Sequence, residues 1–436
     1  MKNTFYTIFC LILLTHKTDG QTQPFLSYDD AVKIGLQQNL DVIIAKNEAE
    51  ISSIQNNIGN AGFLPKLDWQ TNLSGANNAT NQKFSNGQEI NKASVVSGNI
   101  SSGVYIAYTL FDGFKMFATK RKLEILEEQG DLNFKMQAEN LVEKISLAYY
   151  QIVRQEQMIN GILSSMDVAN ARLQLAEKKL AIGSGSNVEV LQAKLDLNAL
   201  KSNLISNKNI LKQQKISLSQ MLQDKEFSNF QVDTNFYFEQ DFVMEQFFDQ
   251  IEKNNKSLLY TKKNKDISEQ TIKEIKSQKL PKLDLNSSFL FSRNQNAAGF
   301  SLLNQNAGFN AGLALSWNLF NGYKTRTQIK VAEIISLNSK LFEDNLRSAI
   351  YADAKNAYEK WINNKQALEL EEQNMQLANQ SLLIMLERMK VGLGNYLETK
   401  ESQNTYEQAI TRLVSARYNL KETEINLKKI TGQFIK

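Results

Sequence analysis

The sequence is nearly without the side chains on which metal sites and enzyme active sites most often depend. Among 436 residues it has one cysteine, Cys10, and one histidine, His16. Both lie in a segment with the pattern of a secretory signal peptide: a basic start, an apolar run over 5–14 and a polar stretch to residue 20. Once residues 1–20 are removed, no thiol and no imidazole remain, which excludes the commonest metal ligands and acid–base catalysts. We therefore expect no enzyme activity and no catalytic, cofactor or metal site.

Long apolar runs are also missing. After the first twenty residues, no run approaches the ~20 residues that a membrane-spanning helix needs. If the chain enters a membrane, it must do so as a closed β-barrel. The net charge is only +4, and short basic runs such as Lys120–Lys122 stand beside acids in helical contexts. These runs indicate solvated helix faces, so we expect no nucleic-acid partner.

Proline is rare, and two of the three prolines lie in a pentapeptide that occurs twice. Leu64–Asp68 reads Leu-Pro-Lys-Leu-Asp, and Leu280–Asp284 has the same letters 280 − 64 = 216 positions later. A second segment, Leu110–Lys115, returns with two substitutions as Leu319–Lys324, at an offset of 319 − 110 = 209. An internal duplication of this length determines the architecture before any single residue is interpreted.

Each copy is predicted to contain a helix, a strand pair, a very long helix, a glycine turn and another helix. We predict a first structural repeat at 21–222, an inter-repeat connector at 223–241 and a second repeat at 242–436. The opening helix of the first repeat is expected over about Tyr28–Gly59, ended by Pro65. Only 20 glycines occur in the whole chain, and this scarcity of helix breakers favours long helices.

After each duplicated proline the apolar pattern changes from a helical period to a period of two. A loop rich in Asn, Gly and Ser is expected over Gly75–Asn99, between the strands of the first pair. Strands of ~9–11 residues with one apolar face are typical of transmembrane barrels, but an ordinary antiparallel sheet packed on a core shows the same alternation. The predicted lipid-facing residues are Leu67, Trp69, Val104, Ile106, Tyr108, Leu283, Leu285, Phe289, Leu313, Leu315 and Trp317.

The segment from Asp112 to Gly183 has an almost unbroken helical pattern, long enough for a helix of roughly 100 Å. Its apolar residues recur every seven positions, as they do again in the helix that follows and, more loosely, in the second copy. Sustained heptads predict helices that pack knobs into holes. Gln155 and its counterpart Asn364 interrupt the apolar seam at the same place, which is typical of residues that set helix register.

Four strands per chain are too few for a membrane barrel with a lumen, because single-chain barrels begin at eight strands. An open sheet edge in lipid would leave backbone groups unsatisfied at several kcal/mol each. If the strands enter a membrane, the missing ones must come from other copies of the chain, and an oligomer is required.

These features resemble the TolC-like outer-membrane efflux proteins over essentially the whole mature chain. The resemblance rests on the duplicated pentapeptide, on the segment that opens each long helix, and on the paired turns around Gly183 and Gly392. It implies a mainly α-helical fold in which three copies close a twelve-stranded barrel on a long periplasmic helical tunnel. It also implies the outer membrane of a Gram-negative bacterium as location, and a periplasmic adaptor, an inner-membrane transporter and outer-membrane lipid as partners.

The resemblance assigns roles to the paired turns. Its adaptor-contacting residues fall on Ile182, Gly183, Ser184, Val391, Gly392 and Leu393. The acidic ring that lines the closed aperture in the family falls on Glu398 and Glu401, with Glu189 as the partial match in the first copy. An arginine that locks the aperture in some members falls on Gly394, so the same gating link is not expected here.

The expected function is that of an exit duct for a tripartite efflux or type I secretion system, with passive conduction through a gated tunnel. A structural periplasmic coiled-coil protein without channel activity is the alternative. It explains the heptads but not the paired alternating strands. The transported substrate, whether drug, metal or protein, is not recorded in these patterns.

Overall fold

The computed structural model describes residues 24–224, 230–238, 242–298 and 301–434. The expected signal peptide lies outside the described residues, as do parts of the expected connector, 225–229 and 239–241. The described chain is mainly helical, as the sequence predicts.

The described residues form two compact units, each assembled from three separate stretches of chain. The first unit comprises residues 24–35, 145–237 and 370–418, and the second comprises 36–144, 238–369 and 419–434. The elements in chain order are β1 (Phe25–Leu26), α1 (Tyr28–Gln38), α2 (Leu40–Gln55), β2 (Lys66–Lys83), β3 (Glu89–Phe111), α3 (Lys115–Ala181), α4 (Asn187–Leu222), β4 (Gln231–Val232), α5 (Met244–Asn254), α6 (Lys256–Lys276), β5 (Lys282–Asn296), β6 (Leu303–Ser316), α7 (Lys324–Lys390) and α8 (Tyr396–Ile430). No helix in the described part of the chain is both long and apolar enough to cross a membrane.

The second unit contains a four-stranded antiparallel sheet in the order β2-β3-β5-β6. Trp69 lies opposite Val104, Val104 opposite Phe289, and Phe289 opposite Phe309. Because side chains alternate along a strand, this register gathers the apolar residues of all four strands on one face. The apolar face, as we call it, carries Leu67, Trp69, Leu73, Val96, Ile100, Val104, Ile106, Tyr108, Leu283, Leu285, Phe289, Phe291, Leu303, Phe309, Leu313 and Leu315. The predicted alternation of both strand pairs is confirmed.

The loop predicted over Gly75–Asn99 is wrong. β2 continues to Lys83 and β3 begins at Glu89, so the two strands are paired through most of this segment and a short turn joins them. A backbone ladder does not require apolar side chains, and polar ones bond across it here. Ser94 Oγ donates to Asn77 Oδ1 at 2.7 Å.

The single opening helix predicted over Tyr28–Gly59 is also wrong, because the chain forms two helices there. Asn39 between them has an extended backbone, with φ −65° and ψ 126°, and its side chain accepts a hydrogen bond from Asp41 N at 3.0 Å. This side-chain cap satisfies an N–H that a continuing helix would have bonded. The second helix ends at Gln55, well before Pro65.

Trp317 is not a strand residue, which corrects its assignment to the lipid-facing strand set. β6 ends at Ser316. The indole N–H of Trp317 donates to the carbonyl oxygen of Lys279 at 3.0 Å, so the side chain is held against the residues that precede β5.

The turns that lead from strand to long helix have matching backbone geometry in the two duplicated segments. Gly113 and Phe114 have φ of 70° and 69°, and Gly322 and Tyr323 have 65° and 64°. A positive φ is uncommon for a bulky aromatic residue. In each turn the preceding Asp or Asn side chain accepts a hydrogen bond from the backbone N–H four residues on. The helices that follow, α3 and α7, each have 67 residues.

Most of the predicted heptad residues are buried or half-buried in the structure, Leu180 at 38% exposed being an exception. In the first unit Gln155 Nε2 donates to Asn207, at 3.1 Å to the carbonyl oxygen and 2.8 Å to Oδ1. In the second unit Asn364 Nδ2 donates to the carbonyl oxygen of Asn419 at 3.1 Å. Each polar seam residue therefore bonds the backbone of the next helix. The buried seam residues include Ile145, Ile152, Ala169, Ala176, Val190, Leu197, Leu218, Ala357, Trp361, Leu382, Met389, Leu420 and Leu427.

Candidate functional site

Two short turns in the first unit contain the residues predicted to contact an adaptor. The first tip turn, 182–186, joins α3 to α4, and the second tip turn, 391–395, joins α7 to α8. Gly183 and Gly392 have φ of 75° and 80°. In both turns the N–H after the glycine donates five residues back at 2.9 Å, and the glycine N–H donates three residues back. This double bond pattern is the Schellman motif, which needs a left-handed residue at the glycine position.

The side chains predicted to meet the adaptor are exposed in the single chain. Ile182, Val391 and Leu393 are 79%, 67% and 75% exposed, although all three are apolar. Exposed apolar residues clustered at one place are typical of an interaction surface. The six predicted residues all lie in the two tip turns, and their contact with an adaptor stays a prediction.

The three acids predicted to line an aperture lie in the helices that follow the tip turns. Glu398 is in the first turn of α8, where its N–H donates to Asn395 Oδ1 at 2.8 Å, and Glu401 lies one turn further on. Glu189 has the corresponding place in the first turn of α4. Glu398 and Glu401 are exposed and Glu189 is half-buried. A ring of these acids requires several copies of the chain, so it stays a prediction.

A buried charge cluster beside the second tip turn was not predicted. Arg172 of α3 is 1% exposed, and its Nη2 lies 2.6 Å from Asp196 Oδ2 of α4 and 3.1 Å from Tyr396 Oη of α8. Tyr396 donates its hydroxyl to the same Asp196 oxygen at 2.8 Å. Lys400 Nζ and Gln192 Nε2 donate to the other oxygen at 2.9 and 3.1 Å. We call these five residues the Asp196 cluster.

The cluster holds a carboxylate and a neutral phenol in fixed protonation states. Burial disfavours the charged form of Asp196, but hydrogen bonds from Lys400, Tyr396, Gln192 and Arg172 outweigh it and lower its pKa to about 2. Burial, and then the hydrogen bond to Asp196, raise the pKa of Tyr396 to about 12. The guanidinium of Arg172 also lies over the Tyr396 ring, with Cζ 4.9 Å from its centroid.

The Asp196 cluster joins three helices at the point where α8 begins. Tyr396 of this cluster also packs against Ala193 and Met389 in a small apolar group. The sequence contains no signal for this site, because Arg172 directly precedes the seam residue Leu173, where a basic side chain is ordinary. Its partners are not visible in the sequence, because 396 − 172 = 224 residues separate Arg172 from the tyrosine.

The apolar face of the sheet is a second candidate site, in the second unit. Most of its side chains are exposed in the single chain, including Trp69 at 78% and Leu315 at 72%. An exposed apolar surface across four strands is far more than the scattered apolar residues normal on a soluble surface. Ten of the eleven predicted lipid-facing residues belong to it, Trp317 being the exception. Their contact with lipid stays a prediction.

A family model described as "Outer membrane efflux protein" matches residues 33–223 and 248–433. The outer membrane protein TolC of Escherichia coli K12 is 20% identical over 349 residues, covering 77% of this chain and 70% of TolC. The solved structure of the Campylobacter jejuni CmeC outer membrane channel is similar with a TM-score of 0.78 at 15% identity, covering 94% of this chain and 86% of that one. The outer membrane protein VceC of Vibrio cholerae has a TM-score of 0.73 at 15% identity, with 93% and 96% covered. At such identities the solved structures establish the fold alone.

Proposed function

The chain belongs to the outer membrane efflux protein family, a family of non-enzymatic transport proteins, and we propose that it is the exit duct of a tripartite efflux or type I secretion system. In this proposal a homotrimer resides in the outer membrane of a Gram-negative bacterium and extends into the periplasm. Substrates leave an inner-membrane transporter, pass a periplasmic adaptor and cross the outer membrane by passive conduction. The cargo is selected by the transporter rather than by the duct.

The observation that carries this proposal is a four-stranded sheet with one apolar face and two unpaired edge strands. In the described residues β2 and β6 each have one neighbour, and they run in opposite directions because every pairing between them is antiparallel. β6 of one copy therefore fits β2 of the next as another antiparallel pair. Three copies arranged head to tail supply twelve strands and satisfy every edge, which lipid requires.

The duplication supports the same arrangement. Matching turns start α3 and α7, and both helices have 67 residues. We propose that residues 21–222 and 242–436 are the two repeats, joined by a connector at 223–241. Each repeat then contributes two strands and one helical hairpin, which gives the trimer approximate sixfold geometry.

The tip turns support a periplasmic docking end. Their apolar side chains are exposed and their backbone is fixed by the Schellman bonds. We assign the adaptor contact to the six tip residues, and the aperture ring to Glu398, Glu401 and Glu189. Carboxylates brought together by threefold symmetry attract cations and repel anions at the entrance.

The channel proposal is tested by conductance. The purified protein in planar bilayers is expected to open trimeric channels that multivalent cations block from the tip side. Glu398→Gln with Glu401→Gln is expected to weaken that block, whereas Glu422→Gln, an exposed acid elsewhere on α8, is a matched control. A protein that stays monomeric and never conducts would contradict the proposal and favour the structural coiled-coil alternative. Equal block in all variants would remove the two acids from the aperture.

The docking proposal has a separate test. A photo-cross-linking amino acid at Ile182 or Leu393 is expected to capture an adaptor in the cell envelope. The same amino acid at Ile205, an exposed apolar position within α4, serves as the control. Equal capture at all three positions would mean that the tip turns have no special role in docking.

A further inference from the structure

One charged side chain stands on the apolar face of the sheet. In the four-stranded part, among the described residues, Arg293 of β5 is the single charged member of that face. The other charged residues of this four-stranded part, Lys66, Asp68, Lys282 and Asp284, alternate onto the opposite face, where each Lys–Asp pair forms an ion pair at 2.9 Å. Arg293 is therefore an exception that the alternation does not explain.

Among the described residues, Arg293 has no partner for its charge. It lies opposite Ile100 on β3 and Gln305 on β6, with Phe291 two residues before it on the same face. It is exposed, and within the described part of the chain it makes no hydrogen bond or ion pair. An ionisable residue on a lipid-facing surface is a functional candidate unless a partner for its charge is found. The charge of Arg293 is therefore open to a partner from outside the described residues.

The position of Arg293 along the strand places it at one boundary of the apolar face. From Leu283, the first residue of β5 on that face, to Arg293 is 293 − 283 = 10 residues. At ~3.3 Å per residue and a strand tilt of ~40°, ten residues rise by roughly 25 Å, the height of the apolar band of an outer-membrane barrel. Arg293 thus falls at the height where a band that begins at Leu283 would end, with Val96 and Leu303 the members of the apolar face that lie beyond it.

The opposite boundary carries aromatic residues instead. Phe111 lies opposite Leu283, its ring centroid is 5.2 Å from that of Phe114, and Phe114 is 6.2 Å from Phe117 at the start of α3. Girdles of aromatic residues flank the apolar band of outer-membrane barrels. The apolar face therefore runs from an aromatic edge beside the helices to Arg293 near the β5–β6 connection.

We propose that Arg293 binds the phosphate of a lipid headgroup in the outer leaflet of the membrane. This inference rests on the proposed function, which places the helices in the periplasm and the β5–β6 connection outside. A planar guanidinium with several N–H donors fits phosphate oxygens, and its aliphatic stem can lie along the apolar face while the charge reaches the headgroups. Arg293 then sets how deep the sheet sits in the bilayer.

The test uses a reporter beside Arg293. Gln305→Cys, in a chain that also carries Cys10→Ser, is labelled with bimane and reconstituted in galactolipid bilayers, which contain no phosphate. Small amounts of phosphatidylglycerol or galactolipid, each with a nitroxide near the headgroup, then quench the label. We expect phosphatidylglycerol to be enriched about fivefold at the label, the ratio expected for one basic side chain near anionic lipid.

Substituted chains distinguish binding of lipid phosphate at Arg293 from a general attraction of anionic lipid to basic residues. Arg293→Gln is expected to reduce the enrichment to about one, while Arg293→Lys keeps part of it because the charge remains. Lys92→Gln removes the same charge from β3 outside the four-stranded part and is expected to change nothing. Equal quenching by both lipids in the unaltered chain, or equal loss in Lys92→Gln and Arg293→Gln, would overturn the inference and leave the membrane placement standing. No quenching by either lipid would instead overturn the placement itself, and this inference with it.

Discussion

Replacing Asp196 by asparagine tests whether the buried charge cluster stabilises the first unit. The amide keeps the shape of the carboxylate but loses its charge, so Arg172, which is 1% exposed, loses its ionic partner. Breaking a buried pair in this way costs about 3–5 kcal/mol when both partners are fully buried. The Asp196 side chain is 17% exposed and Arg172 keeps its contact with Tyr396. We therefore expect Asp196→Asn to lower the free energy of unfolding by about 2–3 kcal/mol at pH 7.

The pH dependence of stability gives an independent value for the contribution of the Asp196 carboxylate. The pKa of Asp196 falls from its ordinary 3.8 to about 2 in the folded chain, and such a shift corresponds to roughly 2 kcal/mol. Because the folded pKa is depressed, this stability is present above pH ~4 and is lost as the pH falls through ~2. The unaltered chain should lose it in that window, and Asp196→Asn should not.

The assay is urea unfolding in detergent, followed by helical circular dichroism between pH 2 and pH 7. Asp167→Asn, an exposed acid on α3, is the matched control and should behave as the unaltered chain. A double-mutant cycle with Arg172→Met isolates the pair, and in that background Asp196→Asn should cost only about 1 kcal/mol. Parallel pH curves for the unaltered chain and Asp196→Asn, or the same cost in both backgrounds, would refute the reasoning.

Three further predictions use the same unfolding assay. Gly392→Ala should cost about 1–2 kcal/mol because an L residue is strained at φ 80°, whereas Gly308→Ala, in open space on β6, should cost almost nothing. Asn39→Ala should cost about 1 kcal/mol by removing the cap of α2. Burial of Glu252 disfavours its charged form, but hydrogen bonds from Lys262, Tyr351 and Arg347 outweigh this effect and lower its pKa to about 2. Glu252→Gln should therefore lower the free energy of unfolding at pH 7 by about 1 kcal/mol, a value reduced because the side chain is partly exposed. The unaltered chain should lose the same stability only below pH ~4. A flat result for Gly392→Ala, Asn39→Ala or Glu252→Gln would contradict the corresponding prediction.

The sequence predicts the elements that repeat and misses those that are made by single contacts. Heptads and alternation identify the long helices and the four strands because burial imposes a period on many residues at once. The break at Asn39 depends on one side-chain hydrogen bond, so the periodic pattern continues through it. The many Asn, Gly and Ser residues over 75–99 favour a loop, whereas the structure has a hairpin there because a backbone ladder tolerates polar side chains. The short parallel pairing of β1 with β4, Phe25 opposite Gln231, involves too few residues to leave a pattern.

At the candidate site, too, features set by local sequence can be predicted and contacts between distant residues cannot. The glycines of the tip turns could be predicted because only glycine adopts the required φ without strain. The Asp196 cluster could not, since its members come from three helices far apart in the chain.

The cluster also shows where the two copies of the duplicated sequence have diverged. At the offset of 209 that relates the tip glycines, Arg172 corresponds to Ser381 and Asp196 to Thr405. Ser381 makes a neutral hydrogen bond to Ser402 at 3.1 Å, so the second hairpin has no buried ion pair at this place. The two helical hairpins therefore have the same backbone turn, but one has a buried ion pair where the other has a neutral hydrogen bond. If the charge cluster fixes the start of α8, Ser381→Ala should leave the unfolding curve nearly unchanged at every pH, whereas Asp196→Asn should alter its acid limb.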